Sequence, residues 1–218
     1  MGEYVVLGLG TFGRSLALEI QALGHEVVGV DISRSLVQGL SGDIRQVIEA
    51  DATSEATLRD LGVSNLNGAV VAIRDPEPSI MTTLLLKKLG VPYIIARATS
   101  SLHEEILKLA GANRVVFPEH EMAVRLAHEV AVPEVVDYLS ISSDMGINKL
   151  HVPKDLVGKT YRDADLERRF RVRIMATIRR DRVIFGTSVT DEFEAADILI
   201  VSGRDDDLRK LAEVAGRD

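Results

Sequence analysis

The sequence predicts an α/β protein: a doubly wound parallel sheet, then an extra amphipathic helix, then a small α+β module. Three observations carry that expectation. Short apolar runs alternate with helical patterns from residue 3 to about 118, the order of a parallel sheet covered by helices on both faces. The first run, Tyr4-Val5-Val6-Leu7, leads straight into Gly8-Leu9-Gly10-Thr11-Phe12-Gly13, and a second, Val27-Val28-Gly29-Val30, ends at Asp31. From about residue 134 onward strand-like runs dominate and helical patterns thin out.

The elements follow in chain order. Strands are expected at Tyr4–Leu7, Glu26–Val30, Gln46–Glu49, Gly68–Ile73, Tyr93–Ala96 and Arg114–Phe117. The first helix places Phe12, Leu16, Ile20 and Leu23 on one face, and Gly24 ends it. Ser33, Ser54 and Ser100 or Ser101 are expected N-caps. Strand, glycine turn, helix, strand and acid together form the dinucleotide-binding fingerprint, so the sheet is Rossmann-like. Residues 119–131 form a further helix with Met122, Leu126 and Val130 at spacing four, stopped by Pro133. Its apolar face packs on its own sheet or on another subunit. Beyond it, strands are expected at Tyr138–Ile141, Gly146–Val152, Val172–Ile178, Arg182–Phe185 and Asp197–Val201, with helices at Arg162–Arg169 and Asp205–Val214.

Composition narrows the function. A net charge of −7 argues against nonspecific nucleic-acid binding, and the lack of Trp with only 4% aromatics argues against stacking platforms for single strands. With no cysteine, disulfides, thiol catalysis and cysteine-ligated metals are excluded. No apolar run reaches the length of a membrane span, and a glycine turn beginning at residue 8 leaves no room for a signal peptide. A cytoplasmic protein is expected, soluble or tied to a membrane through a partner.

In the fingerprint Gly8 permits the tight turn, Gly10 lets backbone approach a pyrophosphate, and Gly13 lets helix and strand pack closely. Asp31, 18 residues after Gly13, is expected to accept from ribose hydroxyls and to repel a 2′-phosphate; its other reading is a cap ahead of Ser33. Asp51-Ala52-Thr53 follows the third strand and borders the adenine pocket, or caps the next helix. Arg74 and Arg97 end the fourth and fifth strands, where ligands sit in this architecture. Glu119 opens the extra helix, where the dipole favours a carboxylate; a divalent cation bridging it to nucleotide phosphates is the sharper reading. Residues 151–182 hold ten Lys/Arg against five Asp/Glu, either an anion-binding face or arginines alternating toward water. No Walker sequence, nucleophile elbow or hydride-transfer constellation is present. The chain reads as a nucleotide sensor, with a small NAD-dependent oxidoreductase as the rival.

The ordered set resembles the cytoplasmic regulatory subunits of bacterial Ktr/Trk potassium-uptake systems, built from N- and C-terminal RCK (regulator of potassium conductance) domains. The resemblance covers essentially the whole chain. Beyond the glycine turn it is carried by Gly24-His25-Glu26-Val27, Val30-Asp31, Asp51-Ala52-Thr53, Thr82-Thr83-Leu84-Leu85-Leu86-Lys87, Gly111-Ala112-Asn113-Arg114-Val115 and Phe117-Pro118-Glu119 with Met122-Ala123. It implies an N-terminal domain at 1–133, with a crossover helix at about 119–131, and a C-terminal domain at 134–218. It implies that ATP or ADP, with NAD(H) as alternative, binds Gly8, Gly10, Thr11, Phe12, Gly13, Asp31, Ile32, Asp51, Ala52, Thr53, Ala72, Ile73, Arg74, Arg97 and Glu119. Glu119 then also holds a divalent cation such as Mg or Ca. The implied assembly is a homodimer exchanging the crossover helix, built into a homo-octameric ring beneath a membrane-embedded potassium-translocating subunit; an NAD(H)-sensing regulator of another transporter is the alternative beside the oxidoreductase. The C-terminal domain is similar to one that binds cyclic di-AMP in some members. One position departs from the ATP-responsive pattern: Thr11 stands where an arginine reaches the terminal phosphate, and the nearest arginine is Arg14.

Overall fold

Val5, Val6 and Leu7 carry no more than 1% of their possible exposure, and a run apolar on both faces belongs inside a sheet covered on both sides. The computed structural model, which describes residues 1–186 and 188–215, places them there. β1 (Glu3–Leu7) pairs in parallel with β2 (Glu26–Asp31) on one side and β4 (Gly68–Val71) on the other. Among the described residues, β3 (Gln46–Glu49), β5 (Ile94–Arg97) and β6 (Arg114–Val116) complete a six-stranded parallel sheet in the order β3-β2-β1-β4-β5-β6. This is the Rossmann order, and strand order reverses between β1 and β4.

Helices α1 (Thr11–Ala22), α2 (Arg34–Leu40), α3 (Glu55–Asp60), α4 (Pro76–Lys88) and α5 (Ser101–Leu109) connect the strands. Alternate β1 side chains go to opposite faces: Val5 and Leu7 join Leu58, Leu86, Ile94 and Leu107, whereas Val6 joins Leu9, Ala17, Leu40 and Ile44. Ser54 and Ser100 cap α3 and α5 through their hydroxyls. Ser33 stands at the N-cap of α2 but its hydroxyl does not cap; it pairs with that of Ser35 at 2.9 Å. The strand expected at Gly68–Ile73 stops at Val71, because its neighbour β1 turns away at Gly8.

The chain divides into two compact units, Met1–Glu119 and His120–Asp218. The division precedes the expected boundary at 133/134. Most of the extra helix, α6 (Pro118–Ala131), therefore belongs with the second unit. Two contacts explain this. Arg125 donates twice to the Asp137 carboxylate, both at 2.6 Å, and the His128 ring stacks on Tyr138 with centroids 3.8 Å apart. Both partners lie on β7 (Val135–Ser140).

In the second unit β7, β8 (Met145–His151), β9 (Arg173–Arg179), β10 (Arg182–Phe185) and β11 (Ile198–Arg204) form, among the described residues, a five-stranded antiparallel sheet ordered β10-β9-β11-β8-β7. α9 (Asp205–Ala215) packs against β8 and β11. Leu150, Phe193, Leu199, Leu208 and Leu211 form the core. The helix expected at 162–169 is broken into α7 (Tyr161–Ala164) and α8 (Leu166–Phe170) by Asp165, which sits at φ 40°. Asp tolerates this left-handed position better than most residues. All four residues of the edge strand β10 are exposed. The last three positions of the expected second domain lie outside the described residues.

Asp197 anchors this unit. Its side chain is 1% exposed and accepts from Arg179 at 2.7 and 2.6 Å and from the Glu194 N–H at 2.9 Å. Burial is the largest influence and pushes its pKa up, but Arg179 and the Glu194 N–H together outweigh it, leaving the carboxyl below its ordinary range. A depressed folded-state pKa gives stability that is full above the unfolded value, about 3.9, and is lost as pH falls through the folded value. Asp197→Ala should cost about 2–3 kcal/mol at pH 7, because it removes two charge-assisted bonds to Arg179 and the acceptor of the Glu194 N–H. The gap between variant and wild type in urea unfolding should narrow below about pH 4. A gap that stays constant down to pH 2 would remove the ionised Asp197 from the account of stability.

Candidate functional site

The site is built where β1 gives way to α1. Gly8 turns the chain at φ 97°, and a Cβ there would lie 2.9 Å from the Ile73 nitrogen. At Gly13 a Cβ would lie 1.9 Å from the Gly8 carbonyl and 3.0 Å from the Ala72 Cβ. These two positions draw Ala72 and Ile73, after β4, against the turn. Gly10 differs: a Cβ there would meet nothing within 4 Å. It is also the N-cap of α1, without a side-chain cap and with no acidic residue in the first turn. The first N–H groups of α1 are thus left for an external acceptor, which is how a helix N-terminus holds an anion. Thr11 is the exposed first residue of that turn.

Asp31 ends β2 beside this turn. One carboxylate oxygen accepts from the Leu9 N–H at 2.7 Å, the other from the Ser33 N–H at 2.8 Å. The Gly8 N–H reaches the Val30 carbonyl at 2.8 Å. Asp31 therefore caps the chain ahead of Ser33, as one reading of the sequence expects, and also braces the glycine turn against β2, which the sequence does not signal. Each carboxylate oxygen keeps a further lone pair for a hydroxyl donor. Ile32 beside it is 71% exposed.

Asp51 follows β3 and closes a local turn, accepting from the Thr53 hydroxyl at 2.7 Å and the Thr53 N–H at 2.8 Å. These bonds, the hydroxyl first, hold its carboxyl below the usual Asp range. Ala52 is buried, and its carbonyl accepts from Thr82 on α4.

A second cluster lies at the ends of β5 and β6. Arg97 donates to Glu119, and its guanidinium lies 5.5 Å from the centre of the Phe12 ring. The Arg97 side chain is only 11% exposed, and its Nε has no hydrogen-bond partner among the described residues. Burial, the largest influence on Glu119, opposes its charge; its own backbone N–H, Arg97 and the positive charge of Arg74 outweigh that, and the carboxyl sits below the usual Glu range. Glu119 is thus held as a carboxylate, paired with Arg97. Among the described residues no group of three or more His, Asp or Glu side chains could hold a metal. A divalent ion here would need phosphate oxygens and water around Glu119, the manner in which Mg²⁺ is ordinarily held.

The structure brings Gly8, Gly13, Ala72 and Ile73 together, and likewise Phe12, Arg97 and Glu119, with Arg74 in electrostatic range. It turns Arg14 to Asp43, which it meets at 3.0 Å. In the second unit the basic stretch is partly neutralised at home: Arg169 meets Asp155, Arg173 meets Glu167, Arg179 meets Asp197 and Glu194, and Arg180 meets Glu194. No described helix is long and apolar enough to cross a membrane.

A TrkA-N domain matches residues 4–118 and a TrkA-C domain residues 149–216. The fold and the glycine turn thus define a two-domain protein of the TrkA-N/TrkA-C class, and the chain belongs to that family. Ktr system potassium uptake protein C of Bacillus subtilis is 34% identical over 210 residues, 96% of this chain and 95% of its own. Protein A of the same organism is 30% identical with the same coverage. The fold matches the GsuK channel bound to NAD with TM-score 0.69 at 21% identity, over 99% of this chain and 40% of that one. GsuK bound to ADP matches with TM-score 0.52 at 26% identity, over 61% of this chain and 35% of that one.

The brace at Asp31 is open to measurement without any ligand. Asp31→Ala removes the acceptor of two backbone N–H groups and should lower stability by about 1–3 kcal/mol in urea unfolding. Unchanged stability would mean that the turn holds its shape without the carboxylate.

Proposed function

We propose that this chain is a regulatory subunit that gates a membrane-embedded potassium-translocating protein in response to a bound adenine nucleotide. The observation that carries the reading is the likeness to Ktr potassium uptake proteins across 96% of the chain, combined with an uncapped α1 N-terminus beside the Asp31 carboxylate. The nucleotide phosphates sit on the N–H groups at Gly10, Thr11 and Phe12, and the ribose on Asp31. Asp51, Ala52 and Thr53 border the base. Arg74 and Arg97 face the phosphate end, and Glu119 takes a divalent cation shared with phosphate oxygens. The protein performs no chemistry on the nucleotide. The ligand stabilises one arrangement of the subunits over another, and only its differential affinity for the two does work on the pore.

Residues 1–133 act as the nucleotide domain with α6 as its crossover helix, and 134–218 as the C-terminal domain. No residue of α6 is buried among the described ones; Met122 is 49% exposed, Leu126 48% and Val130 83%. A second copy of the chain covers this face in a homodimer, and dimers build an octameric ring on the inner face of the cell membrane. Cyclic di-AMP is the ligand considered for the C-terminal domain.

NAD(H) is the second reading of the nucleotide. It is favoured by Thr11, a neutral residue in the first turn, and by Arg14, which Asp43 holds. A third phosphate therefore gains no arginine from this turn. In thermal unfolding without divalent cations, ADP and NAD should raise the midpoint by at least as much as ATP. A ligand at 100 times its Kd adds about 2.7 kcal/mol, on the order of 5–10 °C for a chain of this size. A panel in which no adenine nucleotide moves the midpoint overturns the reading, and oxidation or reduction of NAD(H) with a small substrate would favour an oxidoreductase instead. Light scattering should give a mass near that of eight chains of 23.8 kDa; a stable monomer would rule out the ring.

A further inference from the structure

The second unit holds a cavity of about 490 Å³ that no part of the nucleotide reading uses. The C-terminal half of α6, the turn after it, β7, β8 and α9 form its walls. That volume lies within the range of small-molecule sites. Most of the wall is apolar, with Leu208 and Ala212 of α9 among its residues.

One wall residue is out of place for a core position. On β8 the buried residues are Gly146, Asn148 and Leu150. Asn148 is 3% exposed, and its Oδ1 has no hydrogen-bond partner among the described residues. A buried amide oxygen left unpaired costs stability that an apolar residue of the same size would recover. It is an acceptor for which the described residues supply no donor.

The neighbours define that donor. Tyr138 lies opposite Asn148 in the strand register and stacks on His128 with the rings 9° from parallel. The Tyr138 hydroxyl donates to Asp205 at 3.0 Å, so its proton is already used. The remaining charged groups on the wall are Glu134, Asp205 and Glu213 against Arg209 alone, and Arg209 lies 3.4 Å from Asp206. The wall is rich in acceptors and negatively charged. A phosphate or carboxylate would be repelled, whereas an ammonium N–H would meet both Asn148 and the carboxylates.

We infer that this cavity is a second ligand site, independent of the nucleotide, which takes a small organic molecule with an apolar or flat body and a primary ammonium head. Asn148 Oδ1 and Asp205 receive the head, and the His128–Tyr138 stack with the α9 side chains receives the body.

Calorimetric titration of the full-length protein with phenethylamine and with 3-phenylpropionate tests this, because the probes share a body and differ in the head. Phenethylamine should bind saturably and 3-phenylpropionate at least tenfold more weakly. Asn148→Leu should raise the thermal midpoint and weaken phenethylamine at least tenfold, with nucleotide-induced stabilisation unchanged. Should Asn148→Leu fail to fold, Asp205→Asn carries the same expectation of weakened phenethylamine binding. Equal affinity for the two probes, or undiminished binding in the variant that folds, overturns the proposal. So does a wild type that binds neither probe, which would leave water as the partner of Asn148.

Discussion

The geometry of the N-terminal unit depends on one carboxylate. Asp31 stands at the end of β2 and holds the Leu9 N–H from one oxygen and the Ser33 N–H from the other. The first bond fixes the glycine turn to the sheet, and the second fixes the start of α2. Without it the turn has only backbone contacts at its two close-packed glycines. The same group therefore shapes the cradle, and in the proposed function its remaining lone pairs receive the ribose. On that reading ligand affinity and local stability cannot be altered separately at Asp31.

Charge in this unit is arranged as pairs. Arg97 is spent on Glu119 and on the Phe12 ring, Arg14 on Asp43. In the proposed function a phosphate drawn to Arg97 would compete with Glu119, and a cation drawn to Glu119 would free Arg97, so the two ligands would favour each other, with linkage in both directions. α6 begins at this pair and, further along, carries Arg125 and His128 onto β7.

Much of this was legible in the sequence because its signals are local. Apolar runs of four to six residues, each followed by a helical period, specify a parallel sheet, and the spacing from Gly13 to Asp31 specifies the first βαβ unit. Strand ends were less legible, since they depend on the neighbour: β4 stops where β1 turns away. The helix expected at 162–169 was misread because its hydrophobic pattern continues across Asp165, and nothing local signals the left-handed residue. Side-chain partners were the least legible. That Arg14 turns to Asp43, that Arg173 and Arg179 find Glu167 and Asp197, and that α6 belongs with β7 are long-range pairings with no sequence period. At Asp31 the bond to the Ser33 N–H is local and legible as a cap ahead of Ser33, whereas the bond to the Leu9 N–H crosses 22 residues and leaves no local signal.

The edge of the second sheet has a consequence for how the protein behaves in solution. β10 presents Val183, Ile184 and Phe185 with all of its residues exposed, and among the described residues one row of its backbone groups has no strand beside it. An exposed apolar edge is a template for further strands. Arg182 opens the strand and Arg180, which meets Glu194, precedes it; charged residues beside such an edge oppose edge-to-edge stacking. Added salt, by screening charge at this edge, is expected to favour its self-association.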